Sequence, residues 1–316
     1  MAEQPSPQHD KRLIRANSVS RALAVAGDRW SLLILASAFQ GVRRFEQWRA
    51  GIGIASNILS ARLSRFVRVG CLRKVPAAGT GLRKEYRLTE MGAAFYPTAL
   101  MFWRFDRRWS QQRKMQPVTL THETCGATMM PVMVCAHCMK PVQAREVRYE
   151  DGPGAGLERM PPPKTSRRSQ AHLAGGLQLR VLVGESMDYF GDRWTQQVLA
   201  TFFLGARRFG EIRDSSKAAT NILAGRLKLL VSHGMLQRRI YQNNPVRYEY
   251  VLTPKGMDVY PICLTLMKWG DRWLARDRGD PVILYHKPCG RRLDPLVVCD
   301  QCHAPLDYHE VDFPGR

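Results

Sequence analysis

Gly27-Asp28-Arg29-Trp30, Arg43-Arg44-Phe45 and Asn57-Ile58-Leu59 each occur twice in this chain. They return as Gly191-Asp192-Arg193-Trp194, Arg207-Arg208-Phe209 and Asn221-Ile222-Leu223. The offset is the same each time, 164 residues (191 − 27). It continues through Glu85-Tyr86 and Glu249-Tyr250, Leu88-Thr89 and Leu252-Thr253, and Tyr96-Pro97 and Tyr260-Pro261. His122, Cys125, Cys135 and Cys138 then fall on His286, Cys289, Cys299 and Cys302, with no gap between Gly27 and Val147. Such a register identifies a duplicated unit, so reading one copy reads both.

Within a copy the periodicity is helical first. Val19 to Ala26 has helical spacing and stops at Gly27. Asp28 is placed to cap a second helix with Leu32, Leu35, Ala36 and Phe39 on its apolar face. A short helix from Arg43-Arg44-Phe45 runs through Arg49. Ser56 then offers an N-cap to a helix that presents Leu59, Leu63 and Phe66 to one side and ends at Gly70. Beyond it the period changes to two, over Leu72 to Val75 and Lys84 to Leu88, with a Gly-containing turn from Ala77 to Gly81: a β-hairpin. Thr89 is placed to cap a last long helix holding Phe95, Phe102, Trp103 and Trp109. This order of elements is that of a winged helix-turn-helix.

Each copy ends in His-x2-Cys-x9-Cys-x2-Cys. Two close ligands, a spacer and a Cys-x2-Cys pair suit tetrahedral Zn2+, because each short pair can offer both ligands from one turn. The spacing predicts two structural zinc ions per chain, one on His122, Cys125, Cys135 and Cys138 and one on His286, Cys289, Cys299 and Cys302, each in a small zinc-ribbon-like β module. Four protein ligands close a site against catalysis, and no His-x-Glu motif is present, so an enzyme is not expected. Cys71 and Cys263 face Met235 and Ala99 and read as ordinary hydrophobic residues. His137, His303 and His309 do not recur and read as surface histidines.

The chain carries 48 Lys and Arg against 27 Asp and Glu, a net charge of +21. Such an excess favours a polyanion. No apolar run is long enough to span a membrane, and Met1 to Asp10 has no signal-like apolar core, so a cytoplasmic (nucleoid-associated) protein with reduced cysteines is expected. On the helix from Ser56 the outward face holds Asn57, Ala61, Ser64 and Arg68, with Arg65 at the flank. Ser56 and Asn57, and Thr220 and Asn221 in the second copy, stand at the helix start, where an Asn can pair with an adenine edge or cap locally. Arg62 and Arg226, at the edge of the buried face, suit a phosphate contact or a structural salt bridge equally. Arg43-Arg44 and Arg207-Arg208 are placed for the DNA backbone, or simply for solvent. Lys228 is the basic residue of the second outward face. Arg83 and Arg247 enter the second strand of each hairpin, within reach of phosphate or the minor groove.

Gly-Asp-Arg-Trp, Arg-Arg-Phe, Asn-Ile-Leu-x-x-Arg-Leu and Arg-x-Glu-Tyr-x-Leu-Thr together resemble the HxlR family of bacterial transcription regulators, over residues 18–110 and again 182–274. The resemblance implies a second helix of the motif in the major groove, a wing on the backbone, and pairing of two units through their first and last helices. It departs at Asn17 and Val181, where several members carry a redox-sensing cysteine at the start of the first helix.

The expected architecture is α+β. It comprises a polar tail (1–17), a first winged helix-turn-helix (18–116), a first ribbon-like module (117–150), a solvated linker (151–176), a second winged helix-turn-helix (177–280) and a second ribbon-like module (281–316). The function read from this is a sequence-specific regulator that binds double-stranded DNA at an imperfect inverted repeat, as an intrachain pseudo-dimer or a homodimer, with room for an unidentified small-molecule effector. The competing reading is an RNA-binding or adaptor protein that uses its ribbons, for which Tyr149 and Tyr308 are the nearby aromatics.

Overall fold

The computed structural model describes residues 13–77, 84–110, 119–159, 186, 190 and 192–312. Strand β1 (Leu13–Arg15) leads into α1 (Ser18–Ala26) and α2 (Arg29–Phe39). Asn17 Oδ1 accepts from Val19 N–H at 2.8 Å, and Asp28 Oδ1 from Ser31 N–H at 3.1 Å. Each bond satisfies a donor that a first helical turn leaves over. Trp30 to Phe39 is buried throughout, so Trp30 is core, as its place at the head of an apolar helix implies. Helices α3 (Phe45–Ile52) and α4 (Ser56–Val69) complete the helix-turn-helix, and α4 stops at Gly70 in the left-handed region.

The wing is the antiparallel pair β2 (Leu72–Pro76) and β3 (Lys84–Leu88). Its turn, with Arg83, lies outside the described residues. Helices α5 (Glu90–Ala93) and α6 (Tyr96–Trp109) follow. Two local expectations are corrected. Ser56 is not a cap: Ala55 holds the cap position, as Ala219 does in the second copy, and Ser56 already belongs to the first turn. Thr89 does cap a helix, but only α5; the last helix restarts with Pro97 in its first turn, where a missing N–H breaks no bond.

The first ribbon segment supplies β4 (Leu120–His122), β5 (Ala127–Met129), β6 (Pro131–Cys135) and β7 (Val147–Asp151), after which comes β8 (Leu157–Arg159). The second copy repeats the plan. It has α7 (Arg193–Phe203), α8 (Phe209–Ser216), α9 (Thr220–Ser232), a wing of β9 (Leu236–Asn243) and β10 (Val246–Leu252), α10 (Pro254–Met257), α11 (Tyr260–Trp273), and ribbon strands β11 (Val282–His286), β12 (Pro295–Cys299) and β13 (Val311–Asp312).

The copies pack on each other within one chain. Helix α1 of the first lies along α11 of the second, and α11 also meets α6. Contact is close because residue 270 is glycine: a Cβ there would sit 2.4 Å from the Ser18 carbonyl oxygen. Trp269 donates its indole N–H to the Met91 carbonyl at 2.9 Å and meets Phe95 edge-on at 5.4 Å. From the other side Phe190 packs on Phe102 and Phe105 of α6, at 5.8 and 5.1 Å. Asp258 gathers Arg104 (3.1 Å), Arg108 (2.9 Å) and the Trp109 indole (2.7 Å), all from the first copy.

The ribbon segments are not two separate modules. Strand β6 pairs with β12, β7 with β11, and β4 with β13, so every one of these ladders joins one copy to the other. The linker and tail also differ from expectation where they are described. β8 pairs with β1, and Glu158 is buried there, accepting from Asn17 N–H (3.1 Å) and Arg21 Nε (3.0 Å), with Arg276 at 3.5 Å. A Pro- and Gly-rich composition says nothing of one carboxylate that finds three partners. Residues 160–176 lie outside the described residues.

Candidate DNA interface and metal centres

The outward face of α4 is as the helical wheel predicts: Ser56, Asn57, Ala61, Ser64 and Arg68 are exposed, while Leu59, Leu63 and Phe66 are buried. In α9, Thr220, Asn221 and Lys228 are exposed over Leu223, Leu227 and Leu230. Asn57 Oδ1 accepts from Ile58 N–H at 2.9 Å, a local bond that engages the amide oxygen and not the NH2. Arg65 is half-buried at the flank.

Arg62 and Arg226 serve the fold. Arg62 Nε donates to Asp28 at 3.1 Å, with both side chains largely covered, and Arg226 pairs in the same way with Asp192. Each joins the motif's second helix to the N-cap of α2 or α7, the salt-bridge alternative of the two readings. The basic pairs have a positioning role as well. Gln47 Oε1 accepts from the backbone N–H of Arg43 and Arg44 (3.1 and 2.9 Å), and the Arg43 carbonyl accepts from Tyr86 N–H at 2.8 Å, which docks the wing. Glu211 and Tyr250 do the same for Arg207 and Arg208. Those two N–H groups hold the Glu211 carboxyl below the usual carboxylate range. The Arg44 side chain reaches Glu85 (3.1 Å) and Arg208 stacks over Tyr241 (4.3 Å), while Arg43, Arg207 and, on the second wing, Arg247 are exposed.

The candidate metal ligands assemble differently from the sequence expectation. His122 and Cys125 meet Cys299 and Cys302; Cys135 and Cys138 meet His286 and Cys289. Each cluster therefore takes its histidine turn from one copy and its Cys-x2-Cys turn from the other, and the within-copy sets are overturned. The reason is the β6–β12 ladder. Its register sets Cys135 opposite Pro295 and Cys299 opposite Pro131, so antiparallel pairing sends the two Cys-x2-Cys turns to opposite ends. The same spacing in both copies fits either assortment, just as cysteine spacing leaves disulfide connectivity open.

The donor set fits a tetrahedral ion. In each cluster the ligand atoms lie within 4.8 Å of one another. His122 Nδ1 is 3.4 Å from Cys125 Sγ and 3.3 Å from Cys302 Sγ, and Cys125 Sγ is 4.0 Å from Cys299 Sγ. In the other cluster the corresponding distances are 3.5 Å (His286 to Cys289), 3.4 Å (His286 to Cys138) and 3.9 Å (Cys289 to Cys135). Edges of a zinc tetrahedron with ordinary Zn–S and Zn–N bonds are ~3.5–3.8 Å. Gly126 and Gly290, both at φ 68, close the histidine turns by donating to the carbonyls of His122 and His286 at 2.8 Å. Both histidines are buried, and their Nε2 atoms have no hydrogen-bond partner among the described residues; Glu310 comes within 4.0 Å of the one on His122.

Backbone N–H groups of Arg291 and Ala304 hold the thiols of Cys289 and Cys302 below the usual range, while burial pushes those of Cys135 and Cys299 up. A bound cation would displace the protons from all of them. Cys71 and Cys263 are buried in core, and burial pushes each thiol up to about 12. His137, His303 and His309 are exposed, as expected. Asn17 is the cap of α1; Val181 lies outside the described residues. No helix among the described residues is long and apolar enough to cross a membrane.

The family model of the HxlR-like helix-turn-helix matches this chain twice, over residues 25–114 and 189–278. An uncharacterized HTH-type transcriptional regulator of Mycobacterium bovis is 41% identical over 129 residues, 41% of this chain and 82% of that protein. One of Synechocystis is 34% identical over 92 residues, 29% of this chain and 68% of that protein. Among solved structures, PA1607, a candidate transcription factor, is 34% identical and covers 40% of this chain and 89% of its own, with a TM-score of 0.38.

Proposed function

The chain belongs to the HxlR-like helix-turn-helix family, and from that premise we propose that it is a sequence-specific DNA-binding regulator whose two winged-helix units pair within one chain. The observation that carries this is the placement of two exposed motif helices, α4 and α9, on units joined through α1, α6 and α11. Asn57, Arg65 and Arg68 on one side, and Asn221 and Lys228 on the other, are the residues offered to base edges and phosphates, with Arg43, Arg44, Arg207 and Arg208 beside them and Arg247 on the second wing. Two related but unequal units read related but unequal half-sites, so the operator is an imperfect inverted repeat with half-sites about one helical turn or a multiple apart. The protein acts in the cytoplasm, at the nucleoid.

Zinc is the ion the clusters suit best, because one imidazole and three thiolates in a closed tetrahedron are the donors of a structural zinc site. Two ions per chain would clasp the two copies together. Against the ribbon-recognition reading, its two named aromatics serve the fold: Tyr149 is engaged with the Tyr260 hydroxyl at 2.8 Å, and Tyr308 packs on Phe39 and Tyr96. The deciding experiment incubates the full chain with a duplex of its own upstream region and with equal single-stranded RNA. A shifted duplex, with a footprint showing internal two-fold symmetry, is the expected result. Preference for the RNA, or a protected region lacking any symmetry, would overturn the reading. A footprint about twice as long would assign pairing to two chains instead.

A further inference from the structure

A cavity of about 380 Å3 opens between α11 and the ribbon of the second copy. Met267, Val282, Leu284, Leu293 and Pro295 supply apolar wall, and His137 reaches it from the first copy's ribbon. Its volume lies within the range of small-molecule sites. Three cations border it, and each is already paired: Arg292 with Asp280, Lys268 with Asp294 (2.5 Å), and Arg272 with Glu90 (2.6 Å).

Asp271 is different. Its carboxylate accepts from the Ser18 hydroxyl and forms no ion pair among the described residues. A carboxylate largely withdrawn from water without an ion-pair partner is costly, and burial pushes Asp271 up to about 6, against the smaller opposing pull of the Ser18 hydrogen bond, Arg21 and Arg292. Ser18 and Arg21 face it from α1, Asp280 and Arg292 from the ribbon side, and Lys268 and Arg272 share its own helix at the cavity. The duplication sharpens the point. The first copy carries Trp103 and Arg107 where the second has Met267 and Asp271. Trp103 is fully buried. A bulky aromatic and a positive charge have given way, on one side only, to a flexible thioether and a negative charge.

We infer that this cavity binds a small organic cation, a protonated primary amine on an apolar body, with its ammonium group on Asp271. Because α11 carries the pairing of the copies and His137 stands between the ligands Cys135 and Cys138, an occupant touches both the pairing helix and the metal clasp. Its role as the effector of DNA binding rests on the function proposed above; its binding does not.

The test is calorimetry on the zinc-loaded full chain without DNA, using 2-phenylethylamine, cyclohexylmethylamine and hexylamine. The matched alcohols and carboxylic acids serve as neutral and anionic controls. At least one amine should bind once per chain, with its alcohol and acid weaker by about tenfold or more, the loss expected when a hydrogen bond to a charged group is removed. Asp271→Asn, which can keep the Ser18 contact, and Met267→Trp, which copies the first unit, should each weaken it as much. Both variants should keep the metal content of the wild type and unfold cooperatively, Asp271→Asn at a melting temperature no lower than wild type. Failure of all three amines, equal binding of the controls, or undiminished binding in both variants would overturn the inference. Duplex affinity is measured separately without amine, so failure of the regulator reading gives a different result.

Discussion

His122 Nδ1 lies 3.3 Å from Cys302 Sγ, across 180 residues of chain and from one copy of the duplicated unit to the other. This contact makes the assortment of ligands measurable. Replacing His122, Cys125, Cys299 and Cys302 together with Ala or Ser should remove one metal ion and leave the other site whole. Replacing His122, Cys125, Cys135 and Cys138 should remove both. Within-copy sites would give the reverse, and elemental analysis per chain distinguishes the two patterns.

Arg62 supports the fold, so Arg62→Ala should lower stability by about 1–2 kcal/mol, the cost of leaving Asp28 short of a charged partner. The slope of log K for duplex against log salt should hardly move. Neutralising Arg65 and Arg68 together should flatten that slope by about 1–2 units, since each neutralised phosphate contributes about 0.9, and replacing Lys228 should do about half as much. From Ser56 to Thr89 the first copy carries eight basic residues against one glutamate; Thr220 to Thr253 carries five against one. The first unit should thus hold more of the salt-dependent affinity. Equal slopes for wild type and the double variant would reduce these arginines to a solvated face.

Gly270 sets the distance between α1 and α11. Gly270→Ala would drive a methyl group into the Ser18 carbonyl, which is backbone and cannot swing away. The copies should separate locally, seen as faster amide exchange in α1 and α11 and as duplex affinity lost by both half-sites together. Protection equal to wild type would show that the interface yields more easily than its geometry implies.

The Asp271 carboxyl stays protonated up to about pH 6 in the folded chain, against 3.8 for the ordinary group. Its ionised form therefore destabilises the fold fully above pH 6, and the penalty disappears as pH falls toward 4. Asp271→Asn should melt higher than wild type at pH 7.5, and the two should converge near pH 4. A difference that stays constant across this range would place its origin outside the titration of Asp271.

Much of the structure could be read from residue order alone, because its signals are local. Helix spacing, the Gly70 stop and the change of period at Leu72 all report short-range geometry. The outward set from Asn57 to Arg68 follows from one buried stripe. What escaped was what depends on partners far along the chain. Nothing near Arg62 announces Asp28, and Leu157-Glu158-Arg159 does not look like a strand until Leu13–Arg15 lies beside it. The metal clusters show this most clearly. Every ligand was visible, yet two identical patterns can be joined in two ways, and the β6–β12 register that decides between them is a long-range property.

Carrying both winged units on one polypeptide also changes how the pair responds to dilution. Two separate chains must find each other before they can bind a two-part operator, so occupancy would rise steeply with protein concentration. A tethered pair meets its partner at a fixed local concentration however few molecules are present. Its occupancy should therefore rise hyperbolically from the first molecule, and a cell could keep such a regulator at very low copy number without losing the second half-site.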